Sequence, residues 1–116
     1  MEIIKTSNEN LGMKAIYDLT RNPKGKTMTE AIEMVLEIDC WAHYRDTDSK
    51  GEEKEIVSIR TKEGDIFRTI SQTFIQEFLS IMKMGMEFNN QVNMIKPIGG
   101  TTKAGRDFIT CEYYEA

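Results

Sequence analysis

Proline, cysteine and histidine are scarce in this chain of 116 residues, which holds two prolines, two cysteines and a single histidine. Few prolines and eight glycines, beside 40% hydrophobic and 29% charged residues, exclude a disordered or low-complexity polypeptide. No apolar run approaches the roughly 20 residues that a membrane-spanning helix needs. The opening residues Met1 to Ser7 lack the basic segment and apolar stretch of a secretory leader, so a cytoplasmic protein is expected. The length suits one core, and residues 1–116 are expected to form a single domain.

Two cysteines in an intracellular protein imply reduced core thiols, and Cys40 and Cys111 are read so. Cys40-Trp41-Ala42-His43 has a C-x2-H spacing, but with Cys111 as the one further thiol and His43 the lone histidine, zinc would need a carboxylate to complete it. No metal and no cofactor is expected. Catalysis is not expected either: there is no nucleophile elbow and no phosphate loop, and the single histidine stands without a fixed acid and nucleophile in view. The acid pairs Asp46/Asp48 and Glu52/Glu53 fall in a polar loop.

Basic residues are also in deficit, 15 against 19 acids, which argues against holding duplex DNA by overall positive charge. The deficit is uneven. Residues 11–27 carry Lys14, Arg21, Lys24 and Lys26 against Asp18, and residues 94–106 carry Lys96, Lys103 and Arg106 against no acid. Residues 28–67 hold 11 acids and 5 bases. Two local basic stretches therefore flank an acidic middle.

The apolar pattern is mostly of period two. Gly12 to Thr20 alternates as a half-buried strand, and Arg21 to Lys26 is a loop around Pro23 and Gly25. Thr27-Met28-Thr29-Glu30 has the form of a capping box and opens a short turn. From Met34 the apolar parity runs Leu36, Ile38, Cys40, Ala42 and Tyr44, which predicts a long strand with Glu37, Asp39, Trp41, His43 and Arg45 facing solvent. A hairpin loop at 46–53 leads to a strand over 54–61, and Lys62-Glu63-Gly64-Asp65 turns into a strand over 66–70. Ser71 is an N-cap, followed by Phe74, Ile75, Phe78, Leu79 and Met82 on one helical face to about Lys83, with Phe74 and Phe78 in the core. Strands over 92–98, where Pro97 favours a sheet edge or a strand end, and over 107–114 close the chain across a glycine-rich turn. The expected architecture is mainly β: a five-stranded Greek-key barrel of the oligonucleotide-binding class, with one helix between strands 3 and 4.

Three stretches carry a resemblance: His43-Tyr44-Arg45; Glu52 to Ile59 followed by Gly64-Asp65-Ile66-Phe67-Arg68-Thr69-Ile70-Ser71-Gln72-Thr73-Phe74; and Val92 to Pro97 with Gly100 to Phe108. Together they resemble the single-stranded DNA-binding proteins of bacterial viruses, of the type serving protein-primed replication in small Bacillus phages. The likeness spans about residues 33–114 and leaves residues 1–32 without a counterpart. It implies coating of single strands during phage replication in the host cytoplasm, as a monomer or homodimer, with phage replication proteins as further partners. By position it implies stacking platforms at Tyr44 and at Phe67, where the family carries tyrosine.

Stacking on exposed rings beside scattered cations suffices for sequence-tolerant binding. The candidate nucleic-acid contacts are Trp41, His43, Tyr44, Arg45, Arg60, Phe67, Arg68, Lys103 and Arg106. Tyr44 and Phe67 are open to a second reading as core, and Trp41 is the ring that the alternation turns outward. Lys103 and Arg106 flank Gly105 in a turn able to approach a phosphate backbone. Lys14, Arg21, Lys24 and Lys26 are surface charge that steers a polyanion. A rival expectation is a viral protein-binding module that engages a host protein through the acidic middle.

Overall fold

A computed structural model describes all residues 1–116. In chain order the elements are β1 (Glu2–Thr6), α1 (Met13–Thr20), β2 (Lys26–Thr27), a single 3-10 turn (Met28–Ala31), β3 (Leu36–Thr47), β4 (Glu53–Thr61), β5 (Ile66–Thr69), α2 (Gln72–Glu87), β6 (Met94–Thr101) and β7 (Asp107–Tyr114). The strands form one curled, mixed sheet in the order β2-β5-β4-β3-β6-β7, with β1 added to β3. All pairings are antiparallel except the short β2–β5 contact. The result is a half-barrel of seven strands, two more than the sequence predicts. No helix is long and apolar enough to cross a membrane.

α2 follows its sequence signals: Ser71 Oγ accepts the Phe74 amide, and Phe74, Ile75 and Phe78 are buried. The helix runs one turn beyond the expected end, to Glu87, and stops where residues 89–92 fold back against Gly85. Gly85 has no room for a Cβ, which would meet the Asn90 carbonyl at 2.8 Å. The capping box at Thr27 and Glu30 is also present, starting the 3-10 turn. Met28 and Ala31 of that turn enter the main core with Leu36, Trp41, Val57, Ile59, Phe67, Phe74, Phe78 and Ile95.

Residues 13–20 are a helix, not the expected strand. Ala15 and Leu19 stand four apart and satisfy a helical face as well as they satisfy alternation, so eight residues cannot separate the two periods. The helical register gives Lys14 and Asp18 a 3.0 Å pair and lets Thr20 donate its hydroxyl to the Ile16 carbonyl. It leaves Met13, one member of the supposed apolar row, 88% exposed. α1 lies on the outer face of the sheet, where Ala15 and Leu19 form a second core with Cys40, Ala42 and Tyr44.

That second core changes β3. Ile38 opposes Thr61 and Cys40 opposes Arg60, so Asp39 is an extra residue, a bulge. One inserted residue inverts the alternation. Leu36 and Ile38 before the bulge, and Trp41 after it, face the main core, while Cys40, Ala42 and Tyr44 face α1. Residues 40–44 are buried on both sides.

Candidate nucleic-acid interface

The bulge decides the fate of the ring expected to face solvent. Trp41 is 5% exposed and packs edge-on against Phe78, with centroids 5.2 Å apart and planes at 87°. Tyr44 is also buried, and its hydroxyl donates to the Leu19 carbonyl at 3.2 Å; burial raises its pKa. Phe67 is 3% exposed and belongs to the main core. None of the three rings offers a face to a base in this conformation. For Trp41 this reverses the expectation of an exposed side chain; for Tyr44 and Phe67 it selects the core reading.

The polar candidates are divided. His43 is buried, with Nε2 2.7 Å from Glu55 Oε1. Cys40 and His43 occupy opposite faces of β3, so their sequence spacing brings no ligand pair together. Arg45 lies between Glu2 at 3.1 Å and Glu53 at 3.8 Å. Arg60 bridges Asp18 at 2.9 Å and Asp39 at 2.6 Å; its burial opposes the charge, and these two hydrogen bonds outweigh that and raise its pKa.

Arg68 differs from them. Nε donates to the Leu19 carbonyl at 2.9 Å, and Nη2 to the carbonyls of Asp18 and Asn22 at 2.8 and 3.0 Å. These bonds close the C-terminal end of α1, where carbonyls lack helical partners. No carboxylate pairs with the guanidinium, whose Nε and Nη2 make these three bonds.

Arg68 lines one side of a groove of about 920 Å³ between the β5–α2 junction and the β6–β7 hairpin. Here β5 and β7 do not pair, and Ser71 Oγ bridges them by donating to the Ile109 carbonyl at 3.3 Å. The lining alternates apolar and hydroxyl groups: Ile32, Ile70, Phe108 and Ile109 with Thr27, Thr29, Thr69, Ser71 and Thr101. Asp107 is its one acid, and Thr101 Oγ1 donates to it at 3.2 Å. Ile70 is 58% exposed, a large apolar side chain left open to solvent. Phe108 opposes Gly100 across the hairpin, and its ring occupies the space that a Cβ at Gly100 would need. Lys103 and Arg106 lie in the exposed turn of this hairpin without acid partners.

The groove thus gathers Arg68 with two residues, Ile70 and Phe108, absent from the sequence-derived candidates. The hairpin pattern could have shown Phe108, because a turn centred near Ala104 sets it opposite the smallest residue of the preceding strand. No protein-family model, characterised protein or solved structure matches the chain. The groove combines an apolar ring, hydroxyl donors and a guanidinium without a counter-ion, which are the groups that hold a base, a sugar–phosphate backbone and a phosphate charge.

Proposed function

We propose that this protein is a sequence-nonspecific single-stranded DNA-binding protein that coats and protects single strands during phage DNA replication. It acts by binding rather than by catalysis, and the strand lies in the groove between β5–α2 and β6–β7. The observation that carries this reading is the Arg68 charge, uncompensated by any acid, in a groove that also holds Phe108 and the threonine hydroxyls. Phe108 takes the stacking role expected of Trp41, Tyr44 and Phe67, and Lys103 and Arg106 extend the cationic track along the hairpin.

The same proposal assigns the half-barrel to the oligonucleotide-binding class. Strands β3, β4, β5, β6 and β7 supply its five, α2 falls between the third and fourth of them, and the order β5-β4-β3-β6-β7 suits a barrel left open between β5 and β7. β1, α1 and β2 are additions around it.

Fluorescence anisotropy of labelled oligo(dT) of about 30 nucleotides tests the function, a length that covers more than one site of roughly 4–16 nucleotides. Saturable binding is expected, with a log–log salt slope of roughly −1.5 to −3 from about 2 to 4 phosphate contacts. Phe108→Ala weakens it by about 1–3 kcal/mol, the range for one stacked base. Absence of binding at low salt would overturn the reading in favour of a protein partner held by the acidic β3–β4 hairpin, where Asp46, Asp48, Glu52 and Glu53 gather.

A further inference from the structure

A second concavity, of about 570 Å³, lies between the C-terminal turns of α2, the loop at 89–92 and the β1–β3 edge. It is built around Gly85, whose missing side chain lets the loop close onto the helix, and it is walled by Met82, Met86, Val92 and Ile38. Two of its polar groups are donors without a carboxylate or carbonyl partner. Trp41 is nine-tenths buried and lines this cleft; its main-chain N–H is taken by Ser7 Oγ at 3.0 Å, whereas its indole N–H has no protein acceptor. Lys5 reaches only the Met86 sulfur, at 3.9 Å, and pairs with no acid. The amides of Asn89 and Gln91 complete the rim. Asp39 is the one lining acid, and Arg60 neutralises it from behind at 2.6 Å.

We propose that this cleft is a docking site for an acidic, apolar segment of a partner protein. A partner carboxylate accepts from the Trp41 indole N–H and from Lys5, and a neighbouring aliphatic side chain lies between Met82 and Met86. Methionine walls adapt to differing apolar shapes, which suits peptide recognition. One unpaired ammonium suits a single carboxylate better than a run of phosphates, which draws several cations or arginine forks. Met86 and Phe88 continue the apolar surface beyond the rim, at 71% and 73% exposure. The proposal gives the single-strand-binding reading its protein contact, at a place separate from the groove, and rests on that reading only for the partner's identity.

Trp41 is the single tryptophan, so its indole N–H gives one resolved signal in a proton–nitrogen correlation spectrum. The probe is a blocked six-residue peptide of alternating Asp and Leu, titrated into the full chain. The expected result is a saturable shift of the indole signal. Lys5→Ala should leave the spectrum folded and weaken the peptide about tenfold, the loss of one charge-assisted hydrogen bond. A Lys/Leu peptide of equal length should leave the indole unmoved. An unmoved indole at millimolar Asp/Leu peptide overturns the proposal, and so does an equal shift by the Lys/Leu peptide. If oligo(dT) moves the indole and competes with the peptide, the cleft is part of the nucleic-acid track and the docking site is again overturned. Oligo(dT) that fails to bind anywhere, beside a peptide that does, refutes the single-strand reading while leaving the cleft standing.

Discussion

Arg60 on β4 and Asp18 on α1 meet through Nη1 and Oδ2 at 2.9 Å, and this contact fastens the first helix to the outside of the sheet. Asp18 also accepts from Asn22 Nδ2 at 2.8 Å and from Lys14 Nζ at 3.0 Å. The Asn22 bond and then the Lys14 bond hold its carboxyl at a pKa of about 2 against the pull of burial, with Arg60 adding to them. Asp18→Ala should destabilise the fold by about 1–3 kcal/mol, the range for orphaning buried hydrogen-bond partners.

The pH dependence of that difference has a definite direction. An unfolded Asp18 takes up its proton near its ordinary value of 3.8, the folded one only near 2, so unfolding binds a proton between these values. The stabilisation from Asp18 is complete above the unfolded pKa and is lost as pH falls through the folded one. Urea titrations of the native chain and Asp18→Ala should differ by a constant amount at neutral pH and converge toward pH 2. A gap that persists undiminished there would show that the charge is not its source.

How far such contacts were legible in the sequence varies by element. α2 was legible because sixteen residues repeat one helical face and Ser71 supplies the cap, so local and tertiary signals agree. α1 was not, because Ala15 and Leu19 fit both periods and the deciding contact, Asp18 with Arg60, joins positions 42 apart. Trp41 was misplaced by one residue: nothing local marks Asp39 as a bulge, and the alternation carried through it turns Trp41 outward. Tyr44 and Phe67 are candidates through the resemblance, beside a core reading, and Phe108 escapes notice because its exposure depends on the unpaired seam between β5 and β7. Arg68 and the hairpin cations were named, but the carbonyl partners that leave Arg68 without a counter-ion come from α1.

Ser58 shows a different consequence of covering the sheet with a helix. It lies fully buried on the outer face, opposite Ala42 on one side and Arg68 on the other, and its hydroxyl has no hydrogen-bond partner. Ser58→Ala removes the unmet desolvation of that hydroxyl and should stabilise the chain by about 1 kcal/mol. For a domain of this size the melting temperature should rise by roughly 4 °C. A lower melting temperature would mean that the hydroxyl is bonded in solution.

Core and groove aromatics should separate in a paired experiment. Phe67→Ala empties a packed position and should cost about 3–5 kcal/mol of stability, seen in urea melts. Below its melting point the variant should retain oligo(dT) binding. Phe108→Ala, at the half-buried groove wall, should show the opposite balance, with weakened binding and a small change in melting. Equal loss of binding in both variants at matched fractions folded would place Phe67 in the site.

Gly25 should act through Arg68 alone. A Cβ at this glycine would overlap the Arg68 guanidinium, the flexible end of its side chain, and would push it from the three carbonyls of α1 and its following loop. The φ of Gly25 is not positive, so Ala fits its backbone and any loss is due to contact rather than conformation. Gly25→Ala should therefore destabilise by about 1–3 kcal/mol, the range for hydrogen bonds to a charged donor. Arg68→Met should lose stability by a similar amount. In the double variant the two losses should not add, because the Cβ then has no guanidinium to displace, and a coupling of about 1 kcal/mol or more is expected from the cycle. Additive losses would mean that Gly25 serves the Arg21–Lys26 loop on its own account, independently of the arginine that joins helix to groove.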